Sequence, residues 1–371
     1  MDLLLLKNAE NLAGKRILLR ADFNVPVEGK ALKDSYRIQA VLPSMRFLKE
    51  AGAAAIIVLS HHSDAAQSLE PMARFLGKEI ENTFIKDPFA VGVFARGGVF
   101  VCENLRQWAG EEKNDPAFAE RLASLGDVYV NDAFSASHRS HASIVGLPAL
   151  LPAYAGLLFA QEAEELSHAF APEHPFLFVL GGGKPETKVP LIEAFLDKAD
   201  TIALAGAVAN TFFKALGYET GLSVAGTVPA DAARLLESGK IFLPVDVVAK
   251  GEGGVFVKTP QEVLPDEMIL DVGPETVARL SELAGSARFI LWNGPLGDYV
   301  RPGFEKASAA FAAALKGSPA RKIAGGGDTV ALVRAHKCED AFEFLSSAGG
   351  AMIQFLAEGT LPGIEALQRR Y

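Results

Sequence analysis

Side chains suited to handling phosphate fall into two groups along this chain. The first holds Arg37, Arg106 and Arg139 with His61, His138 and His141, each near the end of an apolar run or in a turn. Converging Arg and His side chains bind carboxylate and phosphate oxygens through charge-assisted hydrogen bonds. Singly, each arginine reads as a solvated surface residue, because charged side chains are mostly exposed. Their recurrence at successive run ends is what argues for an anion site; His62 and His168 lack that placement. In the same region Asp22 and Asn24 stand two apart, which on a strand puts them on one face. Asp and Asn ahead of Pro26 fit a plain turn equally well.

The second group begins in FLFVLGGGKPETKVPLIEAF, residues 176–195, where an apolar run ends in three glycines and Lys184, with Lys188 four positions on. A helix opening near Pro185 would set both lysines on one side. A strand, a glycine turn and a helix opening flanked by cations suit a phosphate. This is not the P-loop G-x-x-x-x-G-K-[ST], because Pro185 stands where the hydroxyl residue is required. AGGGDTVAL repeats the theme without a lysine. Gly325 to Gly327 let the backbone come close to an anion, and Thr329 can cap a helix. Asp328 beside a phosphate makes electrostatic sense with a cation such as magnesium between them; standing alone, it would read as an ordinary N-cap. No run end carries G-x-G-x-x-G, which weighs against an NAD-dependent dehydrogenase.

These residues need elements to place them. Short apolar runs such as RILLRADF, AAIIVLSH, VFVCENLR, DVYVNDAF, FLFVLGGG, TIALAG, IFLPVDVV, MILDVGP, FILWNGP and KIAGGGD alternate with alanine- and leucine-rich amphipathic stretches. Alternation of this kind predicts an α/β protein with mostly parallel sheets covered by helices. In such sheets ligands bind beyond the carboxyl ends of the strands, where this chain concentrates its polar residues. The early runs end in acids, amides, His and Arg, and the later ones mostly in glycine. The change falls after a stretch that reads as a helix from Tyr154 to Phe170, ended by Pro172 and Pro175.

With 371 residues, two domains are expected. A net charge of −9 argues against general nucleic-acid binding, so a phosphorylated substrate would need a locally focused basic cleft. Cys102 and Cys338, far apart and without a signal peptide ahead of them, fit a reducing cytoplasm. Residues 144–160 carry no charge, but Pro148 and Pro152 break them, so a buried connector is expected rather than a membrane span.

RADFNVP, YRIQAVLPS, ENLR, GDVYVNDAFSASHRSHAS, VGLPALLPAYAG, LGGGK with its second lysine, LPVDVV, DVGPET, LWNGPLG, GGGDTVAL and LPGIEAL follow one another in the order and approximate spacing of the phosphoglycerate kinases. The chain resembles that family from Arg20 to its C-terminus. The resemblance implies two Rossmann-like domains joined by a helix and hinge. A phosphoglycerate domain would span 1–152, with 356–371 packing back onto it. The joining helix and hinge would span 153–171, and a nucleotide domain 172–355. It implies reversible phosphoryl transfer from 1,3-bisphosphoglycerate to ADP, by a cytoplasmic monomer whose domains close when both ligands are bound. Asp22, Phe23, Asn24, Arg37, His61, Arg106 and Arg139 would meet the glycerate. Lys188, Gly206, Asn293, Gly326, Gly327, Asp328 and Thr329 would meet the nucleotide, with magnesium at Asp328. Arg37, Lys184 and Lys188 would attend the phosphoryl in flight. A catalytically weak, regulatory relative is the alternative, motivated by departures from the family pattern. Asp64 stands about where the family's Gly-Arg-Pro places an arginine, Val300 where its ribose-binding glutamate stands, and Ala348 where it has a glycine.

Overall fold

The computed structural model describes residues 3–28, 31–32, 35–90, 92, 94 and 97–368. The chain divides into two compact units, Met1–Glu164 with Glu358–Tyr371, and Glu165–Ala357. The division falls inside the helix Leu157–Ser167. Of the expected C-terminal return, residues 369–371 lie outside the described residues.

The first unit contains β1 (Arg16–Arg20), a short ribbon of β2 (Val27–Glu28) and β3 (Ala31–Leu32), β4 (Ala55–Leu59), β5 (Thr83–Ile85), β6 (Gly98–Cys102), β7 (Val128–Asn131) and β8 (Ala153–Ala155). Six of them form one sheet in the order β5-β6-β4-β1-β7-β8, every pairing parallel. β4 is a continuous buried apolar run, and β1 sets buried Ile17–Leu19 between Arg16 and the buried Arg20, as strands inside a covered sheet do. The register pairs Arg20 with both Leu59 and Asn131, so three strands end level and their following residues meet. The C-terminal helix Pro362–Gln368 packs on this unit. A Cβ on Gly363 would stand 2.6 Å from the Ser137 Cβ, so only glycine allows the approach.

The second unit contains β9 (Phe176–Leu180), β10 (Thr201–Leu204), β11 (Ile241–Phe242), β12 (Val247–Gly251), β13 (Gly254–Lys258), β14 (Met268–Val272), β15 (Phe289–Asn293), β16 (Arg321–Gly325) and β17 (Phe344–Ser346). Its parallel sheet runs β11-β10-β9-β15-β16-β17, which sets the two glycine-ended strands β9 and β16 on either side of β15.

Two expectations need correction. IFLPVDVV and MILDVGP do not both join the parallel sheet; β12, β13 and β14 make a separate antiparallel one. Gly251 pairs with Gly254 across a two-residue turn, a connection open only to antiparallel strands. Asp246 of LPVDVV instead accepts hydrogen bonds from the Glu275 and Thr276 N–H groups, capping the helix Pro274–Ser286. The helix expected from Tyr154 begins only at Leu157, because residues 153–155 pair with β7 as a strand. The uncharged stretch 144–160 is broken into short turns, that strand and the start of the helix. Among the described residues no helix is long and apolar enough to cross a membrane.

Candidate functional site

In the first unit the polar residues gather beyond the ends of β4, β1 and β7. Ser60 stitches the strand ends together: its Oγ donates to the Ala21 carbonyl at 2.7 Å and accepts from the Phe23 N–H at 2.8 Å. Asp22 is thereby held facing Arg37, whose Nη1 lies 2.9 Å from Asp22 Oδ2 and 3.1 Å from the Asn24 carbonyl. Burial pushes the Asp22 carboxyl up, but Arg37 above all, with the Ser135 hydroxyl and the Asn24 N–H, outweighs it and holds it at about 2. Asp22 is therefore an ionised clamp on Arg37. Asn24 Oδ1 accepts from the Ser63 N–H at 2.9 Å and fixes the loop after β4. The Phe23 side chain is fully buried in the core, so only its backbone can face a ligand.

His61 is buried beside Arg20, which donates to His61 Nδ1 at 2.9 Å. Burial and then Arg20 push the imidazole well below its usual range, so it is neutral. Arg106 donates to the Ser63 carbonyl at 3.1 Å and sits 3.0 Å from Glu112, while its Nη2 is buried without a hydrogen-bond partner among the described residues. Arg139 Nε donates to His138 Nε2 at 3.3 Å. Burial, and then the like charge of Arg139, lower the Arg106 pKa. Burial followed by Arg20, Arg106 and Arg139 drives His141 down to about 4. The structure therefore brings together the Arg and His residues singled out from sequence. It gathers more positive charge than the neighbouring carboxylates cancel, as a small polyanion site requires.

Fully buried Arg20 was missed, since an arginine ending a strand reads as a surface residue. Asp64 contributes nothing cationic: its Oδ1 caps the Ala66 N–H at 2.9 Å, and its carbonyl accepts from Asn104 Nδ2 at 3.0 Å. Glu103 and Asn104 of ENLR are likewise loop fasteners, bonded to Ser68, Leu69, His62 and Gln67.

In the second unit, backbones meet at van der Waals limits. The Gly181 N–H donates to the Asn293 carbonyl and the Gly182 N–H to the Pro295 carbonyl, closing the β9 and β15 turns on each other. Gly206 opens the helix Gly206–Ala215 at φ +56°, with the Gly182 O and N 3.0 and 3.1 Å from where its Cβ would stand. Gly183 and Gly327 differ: their Cβ positions face open space.

The helix expected near Pro185 is interrupted. Residues Pro185–Thr187 form one tight turn, and the α-helix proper is Val189–Phe195, with Lys188 as the residue before it. The break turns the two lysines apart, leaving Lys184 exposed and Lys188 buried. Lys188 Nζ donates to Asn293 Oδ1, and Asn293 Nδ2 donates to the Gly325 carbonyl at 3.0 Å. Asn293 thus ties the three strand ends together. Burial lowers the Lys188 ammonium to about 8 against the opposing pull of Asp328.

Thr329 does not cap its own helix, Gly327–Ala335; its hydroxyl accepts from the Gly294 N–H at 2.8 Å and is fully buried. Gly326, at φ +98°, takes the cap position. Asp328 lies exposed in the first turn, where it accepts from the Tyr299 hydroxyl at 3.0 Å. Next to these groups lies a cavity of about 380 Å³ that includes Gly182, Gly183, Gly206, Phe213, Leu296 and Asp328 in its wall. A mostly apolar hollow of that size, edged by glycine backbones and by Asp271, Asp298 and Asp328, accommodates a nucleotide. Val300 stands 75% exposed on its rim, and Asp298 pairs with Arg301 at 3.3 Å. The cavity is not legible in the sequence, because its walls come from seven separate stretches of chain.

The phosphoglycerate kinase family profile matches residues 6–359. A phosphoglycerate kinase of Caulobacter vibrioides is 42% identical over 389 residues, covering 96% of this chain and 98% of its own. One of Azorhizobium caulinodans is 42% identical over 387 residues, covering 97% and 98%. Among solved structures, the phosphoglycerate kinase of Coxiella burnetii superposes with a TM-score of 0.86 at 36% identity, covering 99% of this chain and 98% of that one. That of Pyrococcus horikoshii superposes with a TM-score of 0.87 at 29% identity, covering 98% of each.

Proposed function

The chain belongs to the phosphoglycerate kinase family, and we propose how its two units divide that family's work: the basic site of the first takes the phosphoglycerate, and the glycine-lined site of the second takes the nucleotide. The enzyme transfers a phosphoryl group reversibly between 1,3-bisphosphoglycerate and ADP, giving 3-phosphoglycerate and ATP. The observation that carries the assignment is Lys188, a buried ammonium bonded to Asn293 at the glycine-ended strands and facing Asp328, which also lines a nucleotide-sized cavity.

The acceptors in either direction, a carboxylate and a β-phosphate, are already ionised, so no protein nucleophile is needed. What the residues supply is position, charge and dryness. Arg37, clamped by Asp22, and the Arg106–Arg139 pair fix the glycerate end. Gly183, Gly326 and Gly327 let backbone approach the nucleotide phosphates, while Lys184 and Lys188 offset charge on the transferring group. Asp328 would hold a magnesium ion together with the substrate phosphates. Among the described residues there is no cluster of three or more His, Cys, Asp or Glu to cage a metal, and magnesium is commonly held by one carboxylate plus substrate phosphates. Bound there, magnesium would supply a Lewis acid that neutralises phosphate charge. With Cys102 and Cys338 both buried and unbridged, the reading places the enzyme in the reducing cytoplasm. A coupled assay tests the assignment: ATP formation must depend on 1,3-bisphosphoglycerate, and its absence from the folded protein overturns it.

Titration of Lys188 gives a separate check. Free, the amine titrates at about 8; bound phosphate favours its charged form and raises it. ADP binding at pH 8 is then expected to take up about half a proton per site. Calorimetry in buffers of different ionisation enthalpy reads this, and Lys188→Met should abolish it.

Val300 predicts weak selection of the ribose. A valine accepts no hydrogen bond from ribose hydroxyls, and Asp298 is already paired with Arg301. Val300→Glu is expected to tighten ADP about tenfold or more while leaving 2′-deoxy-ADP less improved. A strong ADP preference in the unmodified protein, lost in Asp298→Ala, would assign the contact to Asp298 instead.

A further inference from the structure

Below the basic site of the first unit runs a chain of buried polar groups that the reaction as described does not use. It starts at Glu111, fully buried on the short helix Ala109–Glu112. Glu111 Oε1 accepts from the Ser143 hydroxyl at 2.5 Å, and Oε2 accepts from the Ser143 N–H at 3.0 Å. The same hydroxyl accepts from Arg20 Nε at 2.8 Å, and Arg20 Nη2 donates to His61 Nδ1 at 2.9 Å. Tyr129 holds the segment from the other side, donating to the Ser143 carbonyl at 2.7 Å. Arg20, Glu111 and Ser143 are each fully buried and His61 nearly so.

The chemistry gives this chain a direction. A guanidinium only donates, so Nδ1 of His61 must present its lone pair, and a neutral imidazole must then carry its proton on Nε2. His61 is kept neutral by burial and by the charges that face it, Arg20, Arg106 and Arg139, against Asp22 alone. Its tautomer is therefore the variable that matters. With the proton on Nε2 the ring offers a donor to a carboxylate or phosphate oxygen; with the proton on Nδ1 it would turn a lone pair toward that oxygen and repel it. Arg20 chooses between the two. Arg20 itself is a buried cation whose hydrogen bonds go to Ser143, to the Ala21 carbonyl and to His61. Such a charge needs an anion nearby to hold its place. Glu111 is the acid placed for that role, one hydroxyl away: burial raises its carboxyl, while Arg20 and the two hydrogen bonds from Ser143 favour its ionised form.

We infer that Glu111 is a positioning residue for substrate binding: through Ser143 and Arg20 it holds His61 in the tautomer that donates from Nε2. The inference rests on the first unit being the phosphoglycerate site. The groups facing Glu111 are Arg20, Arg106, Ser143 and His141, the last with Nδ1 at 3.8 Å. None of them replaces it as a counter-charge to Arg20.

The test uses the full chain with 15N-labelled histidines and no ligand, the His61 signals being assigned by their loss in His61→Gln. The unmodified protein is expected to show an unprotonated Nδ1 and a protonated Nε2. Glu111→Gln, which keeps shape but removes the charge and one acceptor, should give a mixture of tautomers. It should also raise the KM for 3-phosphoglycerate about tenfold, with the KM for nucleotide and kcat little changed. Ser143→Ala should do the same by cutting the link in its middle. In a His61→Gln background, Glu111→Gln should add no further change in KM. A protonated Nδ1 in the unmodified protein overturns the inference whether or not the variants fold. So does a Glu111→Gln protein that is merely less stable, with tautomer and KM intact. A shifted tautomer with unchanged KM would uphold the relay and overturn the placement of the substrate upon it.

Discussion

Lys188→Ala is expected to lower kcat by roughly two to three orders of magnitude, a loss of about 3–4 kcal/mol for one preorganised electrostatic donor. Lys188 is buried at the glycine-ended strands, so its charge is poorly screened and is felt most when the phosphoryl oxygens carry most charge. Steady-state kinetics on the folded variant should show the loss in kcat, with a smaller change in KM. A change confined to the KM for nucleotide would remove Lys188 from the transition state and make it a plain binding group.

The same burial predicts an opposite effect on stability. The ammonium titrates at about 8 in the free protein, against an ordinary value of 10.5. Between those values the unfolded chain binds more protons than the folded one, so unfolding free energy rises with pH across that window. Below it, the charged lysine costs the fold up to about 3 kcal/mol. Lys188→Met, keeping the bulk without the charge, should therefore melt higher than the parent at pH 7 and match it near pH 11. Equal melting at both pH values would mean that the lysine is solvated in the free protein.

Gly294→Ala is the second large effect, and it falls on folding. Gly294 sits at φ +92°, and a Cβ there would stand 2.1 Å from the Gly181 carbonyl oxygen and 2.9 Å from the Gly182 nitrogen, all backbone with no flexible side chain to yield. Strain at a left-handed position together with a backbone clash is expected to cost on the order of 4 kcal/mol or more. Denaturant unfolding followed by Trp292 fluorescence should show the second unit unfolding early or not folding at all. Gly327→Ala is the informative contrast. Its Cβ meets nothing within 4 Å, so the unfolding midpoint should stay put while Mg-ADP affinity falls, the methyl occupying space meant for phosphate. A Gly327→Ala protein that binds ADP normally would show that phosphate lies elsewhere. A Gly294→Ala protein with the parent's midpoint would show that the β9 and β15 turns separate easily.

The amino-acid sequence by itself determined a great deal. Strand ends in parallel sheets are where ligands bind, and residues that follow an apolar run can be read directly: Asp22, His61, Arg106, Lys184, Asn293, Asp328. Periodicity and run length sufficed for the parallel sheets because their strands are buried on both faces and stay apolar throughout. Ordered motifs along nearly the whole chain were enough to indicate the family.

Partnership was decided only in three dimensions. Glu111 and Arg20 are charged residues whose types predict exposure, yet both are buried, since each neutralises the other through Ser143 from distant parts of the chain. Lys184 and Lys188 look equivalent at a helical spacing, but one extra tight turn at Pro185–Thr187 exposes the first and buries the second. Thr329 reads as a cap for its own helix and instead holds the Gly294 turn. Gly294 and Gly327 are indistinguishable as letters; whether a methyl strikes a carbonyl or empty space depends on which strand the sheet places alongside. Burial and contact are properties of chain segments brought together from far apart, so local sequence fixes which groups are available and tertiary packing fixes what each is available for.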